Sequence, residues 1–386
     1  MQAFLAIIGD TWRQSKQQWV FIILLGMLAV VTGLFAFGTK VHDYADDAKE
    51  ENRYTLIWRW DDAPDKFTRE DNWKGVYAGV IAKQQGRDEI LYVKRREIKE
   101  LDDKIQALDD EYAAARARKA TEAEIDEINS RAKPVMDEHK EKTVALDKLN
   151  FDMMKEARQE VDRRSGDISD LQKALEITLM EVARYLTWLS LLGFIAAAAG
   201  YFPGLIAQGS VDSVLARPVS RAQVFFGKYV GGLVLISAAL LACWLVLFVS
   251  FGLVSGIWHF RFFGALPMTI LAVSLIYAIV AWVGLITRSM ALALVTGYFF
   301  YLVIDTAVLM MVTIVPMDPL FSKWKWVVTL AEFVKLTFPN FGLMRTSAEA
   351  SICNVPIFEW QPTIVAFTWL TLLLVTAFLR FRRTDF

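Results

Sequence analysis

Apolar residues along this chain gather into six runs separated by polar stretches of very unequal length. A helix crossing a hydrocarbon core needs about 20 predominantly apolar residues. Residues 19–38, 183–204, 229–253, 264–287, 290–315 and 361–380 meet that requirement. Trp19, Trp188, Trp258, Trp282 and Trp360 lie within or near the ends of these runs, where an amphipathic ring prefers the headgroup region. The first run follows Arg13 and Lys16 and ends in Ala36-Phe37-Gly38, a loose small-x-small signature. It is longer than the apolar core of a signal peptide, about 7 to 15 residues, and so reads as an uncleaved span. The pattern predicts an all-α polytopic membrane protein with six transmembrane helices.

The longest polar stretch, residues 39–182, has its own periodicity. Ile98, Leu101, Ile105, Leu108 and Tyr112 recur at spacings of three and four. So do Ile125, Ile128, Ala132, Val135, His139, Lys142, Leu146, Leu149 and Met153. Such spacing makes a narrow seam of the coiled-coil kind. Thr121 and Glu124 read as a capping box that starts a second helix, so the two arms are expected to fold back as an antiparallel hairpin. His139, Lys142 and Pro134 weaken the second arm, and Ser165-Gly166 is expected to break it. Tyr54 to Trp60 alternates like a strand and Asp71 to Lys83 reads as a short helix, together a small mixed base. Ser169 with Gln172 offers another cap leading into the second span. The hairpin is either a solvated spacer or a docking surface for another protein or for the substrate.

Composition sharpens this division. Of 386 residues, 55% are apolar and 22% charged, and most of the charge lies between residues 41 and 181. The formal net charge is -1, with both signs interspersed, so no stripe for nucleic acid exists. Basic residues in the short connections, Arg13, Lys16, Arg217, Arg221, Lys228, Arg288, Arg380, Arg382 and Arg383, fall on one side of six spans. By the positive-inside rule that side is cytoplasmic, with both termini inside and 39–182, 254–263 and 316–360 outside. The location expected is a cytoplasmic (inner) membrane. Residues 1–18 carry Phe4, Leu5, Ile7, Ile8 and Trp12 at helical spacing and read as an amphipathic helix on the inner lipid surface. Cys243 lies in an apolar run and Cys353 in a loop, so an internal disulfide is not expected.

No catalytic constellation is visible. His42, His139 and His259 are too scattered for a local metal site, and neither HExxH nor CxxC occurs. Gly227-Lys228 is followed by Tyr229 and lacks the glycine spacing of a phosphate loop. Neither a catalytic residue nor a resident cofactor is therefore expected in this chain. Asp305 is the clear acid within a span, and an ionisable residue at membrane depth is a functional candidate. It could line a substrate pathway, pair with a basic neighbour, or face water near the outer mouth.

Residues 205–228 form the most punctuated connection. Ser210 can cap a short helix with Asp212 in its first turn, and that helix must end before Pro218. Ser220 with Gln223 then starts the helix that becomes the third span. The result is a short helix, a proline corner and a new helix, held by Arg217, Arg221 and Lys228.

On these residues the chain resembles the membrane subunits (permeases) of ATP-binding-cassette transporters of the type-2 exporter class. Gly209, Ser210, Val211, Asp212, Val214, Leu215, Ala216, Arg217, Pro218, Val219, Ser220, Arg221 and Gly227-Lys228 carry the likeness. The basic tail Phe381 to Phe386 adds to it. The match covers about residues 1–38 and 183–386, with a large outer insertion between the first two spans. The resemblance implies that Ser210 to Ala216 is a coupling helix seated in a separate ATPase subunit, which the N-terminal helix also touches. ATP and Mg would belong to that partner. It implies a permease dimer, either homodimer or heterodimer, around a central pathway. Residues 319–352, with Trp324, Trp326, Glu332 and Pro339, look like its pair of partly inserted outer gate helices. From the residues alone, four charges between Lys323 and Leu336 already make full insertion costly. Two rival readings are motion relayed by the hairpin to an outside protein, and a membrane-anchored coiled-coil scaffold.

Overall fold

The computed structural model describes residues 19–43, 54–60, 73–84, 87–206, 220–313, 325–355 and 360–383. Six stretches within them are long and apolar enough to cross a membrane: Trp19–Gly38, Asp170–Gly204, Arg221–Ser255, Phe260–Thr287, Met290–Val312 and Gln361–Arg382. Each coincides with a run expected from the sequence. The second and third begin more than one turn earlier than their apolar runs, because both start at a capped polar turn. Ser169 accepts the Gln172 N–H, and Ser220 forms a complete capping box with Gln223. The protein is an all-α polytopic membrane protein.

The first span, α1 (Trp19–Gly38), passes directly into strand β1 (Thr39–Asp43), which pairs antiparallel with β2 (Tyr54–Trp58), Thr39 opposite Trp58. The alternation from Tyr54 predicts β2, whereas its partner β1 has no such pattern. Thr39 Oγ1 donates to the Phe35 carbonyl at 2.8 Å, so the helix-to-strand change costs no buried hydroxyl its partner. Helix α2 (Trp73–Gln84) follows.

Helices α3 (Arg87–Ala117) and α4 (Glu122–Asp167) form the hairpin. Glu111 meets Arg131 at 2.7 Å, Asp102 meets His139 at 2.8 Å and Glu97 meets Lys142 at 3.8 Å, which makes the arms antiparallel. All fourteen seam positions expected from the sequence are buried or half-buried, and Leu101 and Ile128 are the most enclosed of them. Two local readings need correction. Thr121 sits at the N-cap but makes no side-chain cap bond, and the Glu124 carboxylate that would complete a capping box pairs with Arg118 at 3.1 Å instead. The arm is also unbroken at Ser165-Gly166: α4 runs through Pro134 to Asp167, and Ile168 and Ser169 are extended before the next helix.

Helix α5 (Asp170–Ala198) with the short α6 (Tyr201–Ile206) makes the second span, and α7 (Arg221–Ser255) the third. Helix α7 stops at Gly256, whose φ of 73° is open to glycine without strain. A 3-10 turn (Phe260–Ala265) leads into α8 (Leu266–Thr287), the most enclosed span. The fifth span is α9 (Met290–Tyr298), a π-helical turn (Phe299–Ile304) and α10 (Asp305–Thr313). Two shorter helices, α11 (Lys325–Thr337) and α12 (Phe341–Cys353), precede the last span α13 (Gln361–Arg382).

Candidate functional site

The chain alternates direction, so one end of the bundle gathers the termination of α6, the start of α7, the α8–α9 turn and the end of α13. Arg221 on α7 donates to the Arg382 carbonyl on α13 at 2.7 Å, which fixes two of these together. Residues 207–219 connect α6 to α7 at this end and lie outside the described residues. They include most of the expected coupling set: Ser210, Val211, Asp212, Val214, Leu215, Arg217, Pro218 and Val219. Ser220 and Arg221 are described and begin α7, with Ser220 exposed.

The two helices flanking that connection are locked to each other. Lys228, only 3% exposed, places its Nζ 5.7 Å from the centre of the Tyr201 ring on α6. A cation over an aromatic face gains most where water is excluded. Tyr229 stacks on Tyr277 of α8 with centroids 4.6 Å apart, and its hydroxyl donates to the Ser274 carbonyl at 2.6 Å. Tyr277 donates to the Lys228 carbonyl at 3.3 Å, while Phe194 and Phe202 pack edge-on or tilted against the same ring. Gly232 makes this approach possible: a methyl there would lie 2.7 Å from the Tyr277 oxygen. The basic pattern marks Lys228, whereas nothing in the periodicity marks Tyr201, Tyr229 and Tyr277. Their signal was present, since a tyrosine hydroxyl inside an apolar span must find a partner.

At the opposite end, α11 and α12 form a second constellation. The carbonyl of Lys335 accepts from Gln361 Nε2 at 2.9 Å, and that of Thr337 accepts from Trp369 Nε1. Both donors lie on α13, and Trp369 is two turns inside it. The end of α11 is thus held about 12 Å along the last span, at 1.5 Å per residue, and two of its terminal carbonyls are satisfied by side chains of that span. The chain turns through buried Pro339 and Asn340, and Asn340 caps α12 by accepting the Leu343 N–H at 2.9 Å.

Asp305 belongs to this turn. Its carboxylate accepts the Phe341 N–H at 2.9 Å, in the first turn of α12, and 9% of the residue is exposed. The π-helical turn immediately before it resets the rotation of the fifth span and aims the carboxylate at α12. A carboxylate at a helix N-terminus is favoured by the free N–H groups and the helix dipole. Among the expected roles, the geometry therefore assigns Asp305 a partner that sequence reasoning did not name, a backbone amide.

Of the expected gate residues, Trp326 is exposed on α11, Pro339 is buried at the turn, and Trp324 lies outside the described residues. Glu332 meets Arg96 of the hairpin at 3.4 Å, so α11 touches the root of the insertion.

The root of the hairpin holds a further cluster that the sequence did not disclose. Glu176 on α5 is fully buried and accepts three side-chain bonds. They come from Trp73 Nε1 on α2 at 3.0 Å, Arg164 on α4 at 3.2 Å and Gln172 at 3.2 Å. Tyr77 stacks on Trp73 at 4.6 Å, and burial pushes its phenol up to about 12, with nearby Glu160 adding to the rise. Higher on α5, Arg184 pairs with Glu349 of α12 at 3.0 Å and with Glu181 at 2.8 Å.

A comparison with curated proteins gives no match. A family model described as ABC-2 family transporter protein matches residues 5–386, nearly the whole chain. With six spans in an all-helical bundle and a punctuated, basic connection between the second and third, the chain belongs to this family and is a permease component of an ATP-binding-cassette transporter.

Proposed function

We propose that this chain is a non-catalytic permease subunit that moves a substrate across the cytoplasmic membrane, driven by ATP hydrolysed in a separate subunit. Both termini and residues 207–219 then face the cytoplasm, and the hairpin projects outside. Ser210 to Ala216 act as the coupling helix, with Arg217, Pro218, Val219, Ser220 and Arg221 as its corner. ATP and Mg sit in the partner, and two permeases, identical or homologous, enclose the pathway. Helices α11 and α12 close its outer mouth, with Asp305 as a clasp on α12.

One observation carries the reading. The flanks of the 207–219 connection are joined by Lys228 over Tyr201 and by the Tyr229–Tyr277 stack. A push on that connection would move α6 and α7 as one body and reach α8 through Tyr277. A scaffold that only anchors a hairpin has no need of such a junction.

The test is affinity purification of the full chain from membranes in mild detergent. An ATP-binding-cassette ATPase should accompany it, and Leu215→Asp or Arg217→Glu should lower both its recovery and its hydrolysis at least tenfold. Absence of any ATPase, or full hydrolysis in both variants, would remove the coupling role.

A further inference from the structure

We infer that the hairpin and the second span form a single lever, so that the nucleotide state sensed at residues 207–219 sets the position of the hairpin tip on the opposite side of the membrane. This rests on the proposed ATPase coupling and adds where its motion goes. Three features of the molecule build the lever.

The first is continuity. Arm α4 and span α5 are separated by two residues, Ile168 and the N-cap Ser169. Ile168 is buried in the same core as Ala157 and Val161 of α4 and Leu175 and Leu179 of α5, so the joint is packed on both sides. It is no solvated hinge, because bending it would expose that apolar surface to water.

The second is the buried carboxylate of Glu176, which binds the joint from three directions. Trp73, Arg164 and Gln172 bring α2, α4 and α5 onto one group with no exposure to solvent. Removing one partner from such a group leaves a buried charge uncompensated, whereas moving all partners together breaks nothing. The arrangement therefore resists relative motion and permits rigid-body motion. Lys74 and Asp162, 3.6 Å apart, add an outer tie between α2 and α4.

The third is length. The second span covers 35 residues and α4 covers 46. At 1.5 Å per residue the span is about 50 Å long, and the part of α4 beyond Ala157 reaches about 50 Å further. A tilt of α5 by about 5° would carry the tip, near Arg118 to Thr121, through about 4 Å, and 10° through about 9 Å. The far end of the same span carries Tyr201 and Phe202, which are fixed to α7 and α8 beside the 207–219 connection.

The experiment uses the complete transporter with its ATPase in lipid nanodiscs. One spin label goes on Ala123→Cys at the tip and its counterpart on the second permease, because α7 and α8 are tied to α5 and tilt with the tip, after Cys243 and Cys353, both buried, are replaced by alanine. Distances from pulsed electron paramagnetic resonance are compared between nucleotide-free and ATP-trapped states, with hydrolysis measured on the same samples. The expected result is a shift of at least 4 Å that disappears when Gly-Ser-Gly is inserted between Ile168 and Ser169, hydrolysis being retained. Trp73→Phe, which removes the indole donor to Glu176 and part of the ring stacked on Tyr77, should broaden the distribution and reduce the shift. Hydrolysis without a tip shift in the parent protein would overturn the lever and leave the permease reading intact. A shift of undiminished size in both variants would overturn it as well. Failure to recover any ATPase would bring down the coupling reading, and the lever with it.

Discussion

The Asp305 clasp gives the most quantitative prediction. Its carboxylate satisfies the first free N–H of α12 inside a water-poor turn, and Asn340 satisfies another. A hydrogen bond to a charged group contributes about 1.5–3 kcal/mol net, and an orphaned buried donor costs about 1–3 kcal/mol. Asp305→Ala should therefore destabilise the docked state of α12 by about 2–3 kcal/mol, which is roughly 30- to 150-fold in its opening equilibrium. The native reporter is Cys353 at the end of α12, free, fully buried and 3.3 Å from Met180 Sδ. In a Cys243→Ala background, its reaction with a small maleimide occurs through local opening, whose rate follows the opening constant. Asp305→Ala should accelerate labelling by that same factor. Asp305→Asn keeps an oxygen acceptor for the Phe341 N–H and should accelerate it less than tenfold. A rate within twofold of the parent for the alanine variant, or equal acceleration by both variants, would refute the clasp.

Two further outcomes follow from single contacts. Gly232→Ala drives a methyl to 2.7 Å from the Tyr277 oxygen and should cost about 1–3 kcal/mol as overpacking, seen as a lowered Tm in detergent, while adding Tyr277→Phe should restore part of it. At the hairpin root, the Arg163 guanidinium beside Glu160 holds its carboxyl below the ordinary value of 4.5. Such a depressed acid stabilises the fold fully above about pH 4.5 and loses that contribution as pH falls through its lower folded value. Thermal melts of the protein between pH 6 and 3 should show this acid-dependent loss, and Glu160→Gln should flatten that part of the profile.

The parts of the fold legible in the sequence are those set by local periodicity or by adjacent caps. The seam from Ile98 to Met153 was readable because each residue shares its face with neighbours three and four places away, and burial follows that face. Ser169 and Ser220 were readable because the bonded partner stands three residues on. Glu176 was not. It sits four residues from Gln172 in what looks like an ordinary polar helix start, and its decisive partner Trp73 is 103 positions away. Asp305 was legible as an anomaly, an acid in an apolar run, but its partner is the backbone of Phe341, which no side-chain pattern encodes. The π-helical turn that aims it was equally hidden, since one extra residue per turn leaves the apolar composition unchanged. Strand β1 was hidden because its residues, TKVHD, carry only one apolar side chain. Its position is specified by the register with β2.

The distribution of polar bonds along α5 bears on how the molecule can move. From the hairpin end inward, Glu176 binds Trp73 and Arg164, and Arg184 binds Glu349 of α12. Thr187 bonds Thr269 of α8 at 2.9 Å, and the Leu192 carbonyl accepts from Tyr298 of α9 at 3.0 Å. Each bond joins α5 to a different helix at a different height, and the last two lie where water cannot replace a lost partner. Rotation of α5 alone would break several at once, at about 1 kcal/mol or more each. A tilt shared with its neighbours breaks none. The economical motion therefore carries the hairpin root, α12, α8 and α9 together, and it keeps apart two events that could otherwise have been coupled. Because α9 leads through the π-helical turn to Asp305, both partners of the clasp travel with α5, and the clasp should stay closed while the tip is displaced. Cys353 labelling in the Cys243→Ala chain should keep one rate across the nucleotide states between which the tip distance, read on the spin-labelled chain, changes.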